Sequence, residues 1–226
     1  MTRLRLVYNC SDCGASFPKW AGRCTSCGAW NSLVEDVEDP SADAATTGVV
    51  TPPSSPPQRL GDVDLRHGAP IPTGIDELDR VLGGGLVPGS VTLLGGEPGI
   101  GKSTLLLQAL TSWTGRTLYV SAEESAQQVR LRAERLHAVR DDVWLLSETV
   151  LPHVITALDE LKPDLVVIDS IQTIADPHLG PAPGSVVQVR ACAHALVTEA
   201  KRRNIPMVLV GHVTKDGALA GPRVLE

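Results

Sequence analysis

Five short apolar runs, Val91 to Leu94, Leu118 to Val120, Val143 to Leu146, Leu165 to Ile168 and Met207 to Val210, show no alternation with polar positions. Runs of this kind read as strands covered on both faces. Between them the apolar spacing becomes helical over Lys102 to Trp113, about Ser125 to Val139, about His153 to Leu161 and about Ser185 to Arg203. Strand and helix in alternation predict an α/β fold with a mostly parallel sheet and helices on both faces. Ligands of such folds sit at the carboxyl ends of the strands, so the polar residues just after each run are the candidates for chemistry. Upstream, Thr73 followed by Asp76 resembles a helix-starting cap, with Ile75, Leu78, Val81 and Leu82 on one face and Gly83, Gly84 and Gly85 as the stop.

The N-terminal part reads differently. Cys10 and Cys13 form one C-x2-C pair and Cys24 and Cys27 a second, each followed by a glycine, Gly14 or Gly28. A two-residue gap lets both sulfurs face one point, and two such knuckles supply four thiolates for tetrahedral Zn2+. Two disulfides or buried thiols are the alternatives, but so short a segment has too little apolar surface to fold unaided. Four thiolates leave no position for water, which makes the metal structural. Trp20 and Trp30 are assigned to packing the module, with stacking on a base or a partner as the alternative. Cys192, the fifth cysteine, falls in an Ala-rich helical pattern and reads as a small core residue. From Glu35 to about Pro57 the chain is acidic, then Ala/Thr-rich, then Pro-rich, as tethers are. The expected organisation is a zinc-ribbon module over 1–34, a flexible linker over 35–59 and a nucleotide-binding core over 60–226.

The first apolar run leads into Gly95 and then Gly96-Glu97-Pro98-Gly99-Ile100-Gly101-Lys102-Ser103-Thr104, which fits G-x4-G-K-S/T between a strand and a helix. Glycines allow a loop whose N–H groups converge on phosphate, and the helix N-terminus adds partial positive charge. Lys102 is expected to reach the β- and γ-phosphates of ATP, Ser103 to ligate Mg2+ and Thr104 to support the loop. The run Leu165 to Ile168 delivers Asp169, a second Mg2+ ligand, and Ser170 follows, so the base must come from elsewhere. The run ending at Val120 is followed by Ser121-Ala122-Glu123-Glu124. One of these carboxylates can deprotonate the attacking water and the other charge the next helix start; Glu123, nearer the strand end, is chosen as the base. His212, within Gly211-His212-Val213-Thr214-Lys215, is either a γ-phosphate contact that relays its loss or an ordinary loop residue.

Composition narrows the partners. A formal net charge of −6 opposes a surface that binds DNA all over, and 3% aromatics excludes stacking on many bases as the main device. DNA contact, where present, is local or supplied by assembly. Arg130, Arg132, Arg135 and Arg140, with Lys201, Arg202 and Arg203, are candidates, against the reading as solvated helix faces. No apolar run is long enough to cross a bilayer, and nothing before Cys10 has room for a secretory signal, which leads to the expectation of a cytoplasmic protein without a membrane partner.

The ribbon in Tyr8 to Trp30, the stretch Thr73-Gly74-Ile75-Asp76-Glu77-Leu78-Asp79-Arg80-Val81-Leu82-Gly83-Gly84-Gly85, the phosphate loop and Gly211 to Lys215 together resemble the bacterial RadA/Sms family. The resemblance covers nearly the whole chain except the linker. It implies a RecA-like P-loop NTPase core, in which Tyr119-Val120-Ser121-Ala122-Glu123 matches the strand ending in the catalytic glutamate and His212 the position that senses the γ-phosphate. It further implies DNA-dependent ATP hydrolysis in recombinational repair, with binding of single-stranded and branched DNA, branch migration, recombination proteins such as RecA as partners, and a homo-hexamer. The chain ends at Glu226, after Gly221-Pro222-Arg223-Val224-Leu225. That is before the family's Lys-Asn-Arg-Phe-Gly motif and its Lon-like C-terminal domain, which leads to the expectation of a C-terminally incomplete core. The competing expectation is a zinc- and nucleotide-binding module that turns over little ATP and acts through partners.

Overall fold

The protein is described from a computed structural model over residues 5–38, 57–64 and 68–212, and divides into two compact units, Met1–His67 and Gly68–Glu226. Most of the expected linker, residues 39–56, and the C-terminal residues 213–226, including Val213, Thr214 and Lys215, lie outside the described residues.

In the first unit, strands β1 (Arg5–Cys10), β2 (Ser16–Phe17) and β3 (Leu33–Glu38) form an antiparallel sheet in the order β2-β1-β3. The ribbon therefore continues past the expected boundary at 34: Tyr8 pairs with Glu35, Val7 with Asp36 and Arg5 with Glu38. Sheet pairing is made by the main chain, so an acidic run still forms a strand beside a partner. Leu60–Asp62, expected to open the core, form a 3-10 turn in this first unit.

The second unit is built on strands β4 (Val91–Gly96), β5 (Thr117–Ser121), β6 (Val143–Ser147), β7 (Leu165–Asp169) and β8 (Met207–His212). They pair in parallel in the order β4-β8-β7-β5-β6. Helices α1 (Asp76–Val81), α2 (Lys102–Ser112), α3 (Ala126–Arg135), α4 (Leu151–Leu161) and α5 (Val186–Arg203) complete it.

The continuous apolar runs have a simple cause in the three central strands. Val166 and Ile168 of β7 and Met207 and Leu209 of β8 pack with Val154, Leu158 and Leu196 of α4 and α5. Leu165, Val167, Val208 and Val210 pack on the opposite face with Leu106, Leu107 and Leu110 of α2. Every position has a covered face, so no alternation is visible. β6 departs from the expectation: as an edge strand it leaves Trp144 and Leu145 exposed.

The entry to β4 is also a correction. Thr73 does not cap α1, which has no side-chain cap at Ile75. Its hydroxyl and amide both donate to Asp79 Oδ1 at 2.7 Å, and Val81, expected on the packed face, is exposed. α3 is capped as a Ser125–Gln128 capping box and ends at Arg135, earlier than the expected Val139.

Gly85 fixes this entry. Ile71 and Leu86 exchange both backbone hydrogen bonds, at 2.8 and 2.9 Å, and Gly85 has φ +134 with its missing Cβ only 2.1 Å from Ile71 O. Gly85→Ala is expected to destabilise the protein by about 3 kcal/mol, the upper end for a strained backbone position. Gly83→Ala, at φ +70 with open space around it, is expected to cost about 1 kcal/mol. Urea midpoints of the two variants check this, and equal shifts would refute the steric account.

Candidate functional site

The loop from β4 into α2 is held in shape by two glycines in the left-handed region, Gly99 at φ +81 and Gly101 at φ +103. Gly101 is the N-cap of α2, and no side chain caps the helix, so its first N–H groups face the loop's concavity without a side-chain acceptor. Lys102 is buried, and its Nζ donates to Gly96 O at 2.7 Å and Glu97 O at 2.9 Å. Two of its three donors thus brace the ammonium group at the mouth of the loop.

A cavity of about 230 Å³ opens beside this loop. Pro98, Gly99, Gly101, Lys102, Ser103 and Thr104 of the loop line it, together with Ser121, Glu123, Glu124, Arg132, Asp169 and His212. Of the residues expected at the site, Gly96 and Glu97 contribute only carbonyls to Lys102, and Ile100 is exposed and outside the lining. Parallel pairing explains the convergence. Ser121 lies opposite Asp169 across β5 and β7, and Gly96 opposite His212 across β4 and β8. Each strand therefore releases its polar residue at the same edge.

The two adjacent glutamates are separated by their partners. Glu124 is paired to Arg132 Nη2 at 2.6 Å, on the helix that follows. Glu123 Oε1 accepts from the hydroxyl of Ser170 and from His212 Nε2, the latter at 2.8 Å. Partial burial works against the charged form of Glu123, but the Ser170 and His212 hydrogen bonds, with the charges of His212 and Lys102, outweigh it and hold the carboxyl below its ordinary value. His212 Nδ1 is buried and has no hydrogen-bond partner among the described residues.

Sequence reasoning missed two of the site's groups. Ser170 is fully buried behind Asp169 and reaches back to Glu123. Tyr119, in the middle of β5, is also buried, and its hydroxyl donates to Asp169 Oδ2 at 2.6 Å. Burial first, then the Asp169 charge and hydrogen bond, push the Tyr119 phenol well above its ordinary range, so it stays a neutral donor; Ser103 bonds the same hydroxyl. Tyr119 thus interacts with both candidate Mg2+ ligands, Ser103 and Asp169, whose oxygen donors are of the kind a small, hard cation prefers. A phenol inside an otherwise aliphatic strand was the available signal, since a buried hydroxyl needs a partner.

The basic set proves largely paired. Arg130 bonds Glu134, Arg140 bonds Asp142, and Arg202 and Arg203 share Glu199 and Asp159. That is the pattern of solvated helix faces, the alternative weighed for these residues.

In the first unit the ligand atoms of Cys10, Cys13, Cys24 and Cys27 all lie within 4.8 Å of one another. Between the knuckles, Cys10 and Cys27 lie 3.7 Å apart and Cys13 and Cys24 3.6 Å apart. Disulfide bonds, about 2.05 Å long, are excluded by these separations. Tetrahedral bonds of about 2.3 Å to a central zinc would set sulfurs about 3.8 Å apart, which is the spacing seen. The knuckles are twins: Gly14 N donates to Cys10 O and Gly28 N to Cys24 O, each at 2.8 Å, with both glycines at positive φ. Burial disfavours the Cys10 thiolate, but the Ser32 hydroxyl and the amides of Cys13 and Asp12 outweigh it and bring its thiol down to about 6. A hydrogen bond donated by the Ala29 amide favours the Cys27 thiolate, yet burial and the other three sulfurs push that thiol up to about 12. Four sulfurs so placed deprotonate together only around a cation.

Among the described residues, no helix is long and apolar enough to cross a membrane. Residues 54–218 match the family described as AAA domain, and residues 8–35 the family described as rubredoxin metal binding domain. With four clustered thiols on that match, the module is a zinc ribbon. Over its whole length the chain is 49% identical, across 228 residues, to the DNA repair protein RadA of Pseudomonas aeruginosa. It is 46% identical across 231 residues to that of Mycobacterium tuberculosis, and 46% across 228 residues to that of Streptococcus pyogenes. The chain spans 50%, 48% and 50% of these relatives, about half their length.

Proposed function

The chain belongs to the family described as AAA domain, and from that premise we propose that it is the nucleotide-hydrolysing part of a DNA-repair ATPase of the RadA type. In this reading it binds Mg-ATP at the 96–104 loop and uses the energy of hydrolysis to act on single-stranded and branched DNA. Branch migration, assembly into rings and work beside recombination proteins such as RecA belong to the same proposal. The expected division into ribbon, tether and core belongs to it as well.

One observation carries the reading: a single cavity joins the Lys102 loop, the Ser103–Asp169 pair and a carboxylate, Glu123, that is held in its charged form. The loop amides and Lys102 bind the phosphates. Ser103 and Asp169, with Tyr119 bonded to Asp169, would hold Mg2+, which would supply charge neutralisation at the phosphate oxygens. Glu123 takes a proton from the attacking water. His212 Nε2 donates to Glu123, so its imidazole and the carboxylate move as one unit when the γ-phosphate arrives or leaves.

Nucleotide affinity tests the first step. Lys102→Ala removes a charge-assisted contact to phosphate and is expected to weaken ATP binding about 10- to 100-fold. Titration calorimetry with a non-hydrolysable ATP analogue and Mg2+ measures this. Wild-type affinity in the variant would remove the phosphate-loop assignment. Hydrolysis by the chain extended to the length of its relatives should rise with single-stranded DNA, and a flat response would remove the DNA-linked part of the proposal.

A further inference from the structure

The second cysteine knuckle and the turn before it carry a surface that neither the zinc site nor the nucleotide site uses. Four of the chain's seven aromatic side chains fall within its first 30 residues, and two of them stay out of the ribbon's core: Trp20 is 57% exposed and Trp30 71%. Indoles are among the largest apolar gains open to a small module, so leaving both in water needs a reason.

They lie on one short hairpin. Arg23 bridges Trp30 in antiparallel register, and Asn31 N donates to Gly22 O at 2.9 Å, which places residues 20–23 beside 30 and 31. The Arg23 guanidinium sits over the Trp30 ring, 5.6 Å from its centroid, fixed by a bond from Nε to Gly28 O at 2.9 Å. From Cys13 to Ser32 the only charged side chains apart from the metal-ligating sulfurs are Lys19 and Arg23, both exposed, in a chain of net charge −6. The aliphatic side chains of that stretch are three alanines and Pro18.

We propose that this face of the ribbon binds single-stranded nucleic acid, with Trp20 and Trp30 stacking on bases and Lys19 and Arg23 meeting phosphates. It rests on the reading above, that the protein acts on single-stranded DNA, and adds the surface that makes the contact. Exposed indoles beside cations, with few aliphatic side chains in the same stretch, suit bases and phosphates. Protein interfaces also enrich Trp and Arg, but their cores are depleted of charge and rich in apolar area, whereas here two cations flank the indoles and the aliphatic side chains are three alanines and a proline.

Fluorescence anisotropy of a labelled oligo-dT with the zinc-loaded full chain, without nucleotide, tests this, alongside tryptophan emission. Binding with quenched indole emission is expected. Trp30→Ala should weaken it about tenfold, within the range for losing one stacked base, and Trp30→Phe should recover part of the loss. The Lys19→Ala, Arg23→Ala double variant should lower the log–log salt slope by about 1.4, two phosphates of a single strand. A Trp20→Ala, Trp30→Ala chain that keeps one zinc and binds oligo-dT like wild type would overturn the proposal and hand the patch to a protein partner. Binding without quenching, or no binding by the wild type, would overturn it equally. Nucleotide titration of the same wild-type protein separates the two readings: oligo-dT binding without nucleotide affinity sinks only the ATP site, and nucleotide affinity without oligo-dT binding sinks only this surface.

Discussion

Glu123→Gln is expected to lower the rate of ATP hydrolysis by about 10²- to 10⁴-fold while leaving nucleotide affinity near wild type, the range over which a positioned general base contributes. The substitution keeps volume and hydrogen-bonding reach, so Ser170 and His212 retain a neighbour, but the amide cannot accept the water's proton. Single-turnover hydrolysis beside analogue binding checks both halves. Glu124→Gln is the internal control. Glu124 is committed to Arg132 at 2.6 Å, so its loss should act mainly on the start of α3 and cost far less turnover. If the two variants exchange phenotypes, the base has been misassigned. The carboxyl of Glu123 is held below its ordinary value, so the basic form persists as pH falls. Glu123 should therefore impose no loss of rate between about pH 8 and pH 6, since its proton returns only below the usual carboxylate range.

Removing zinc is the second large effect. Structural zinc in small ribbons supplies apparent folding energies of about 10–16 kcal/mol near neutral pH. The buried apolar cluster here consists of little more than Leu33 with two of the cysteines, against which Tyr8 and Phe17 pack. Chelation, or Cys24→Ala, should therefore unfold the β1–β3 sheet while nucleotide binding by the second unit survives. Zinc content per chain, amide exchange in β1 and β3, and calorimetry with nucleotide together measure this. Acidification should release the metal for the same reason, because protons and zinc compete for the sulfurs. A chelated chain that keeps protected amides in β1 would show that the sheet folds without its metal.

Much of this was legible in the residues because the chemistry is local. C-x2-C pairs, a glycine loop ending in Lys102 and Ser103, and an apolar run ending in Asp169 each lie within a few positions of one another, and turn geometry brings such groups together wherever the chain goes. The central strands were legible as well, since burial on two faces leaves an uninterrupted apolar signature in β5, β7 and β8. Elements that depend on a distant neighbour read less well. β6 shares the signature but sits at the sheet's edge, β3 is acidic yet paired, and Thr73 answers to Asp79.

The sequence by itself determined that four thiols share a metal, that a phosphate loop joins a strand to a helix, and that two glutamates compete for one role. Only the tertiary structure decided which partners hold each glutamate. Ser170, just past β7, and His212, at the end of β8, are far away in the chain, and parallel pairing of the strands brings them to Glu123 while Arg132, on the helix that follows, pairs with Glu124. It also decided that Tyr119 reaches across to Asp169 and that two indoles stay in water. Spacing fixes what neighbours along the chain can do together, whereas partners from separate elements are chosen by how the sheet is ordered and which of its faces are covered.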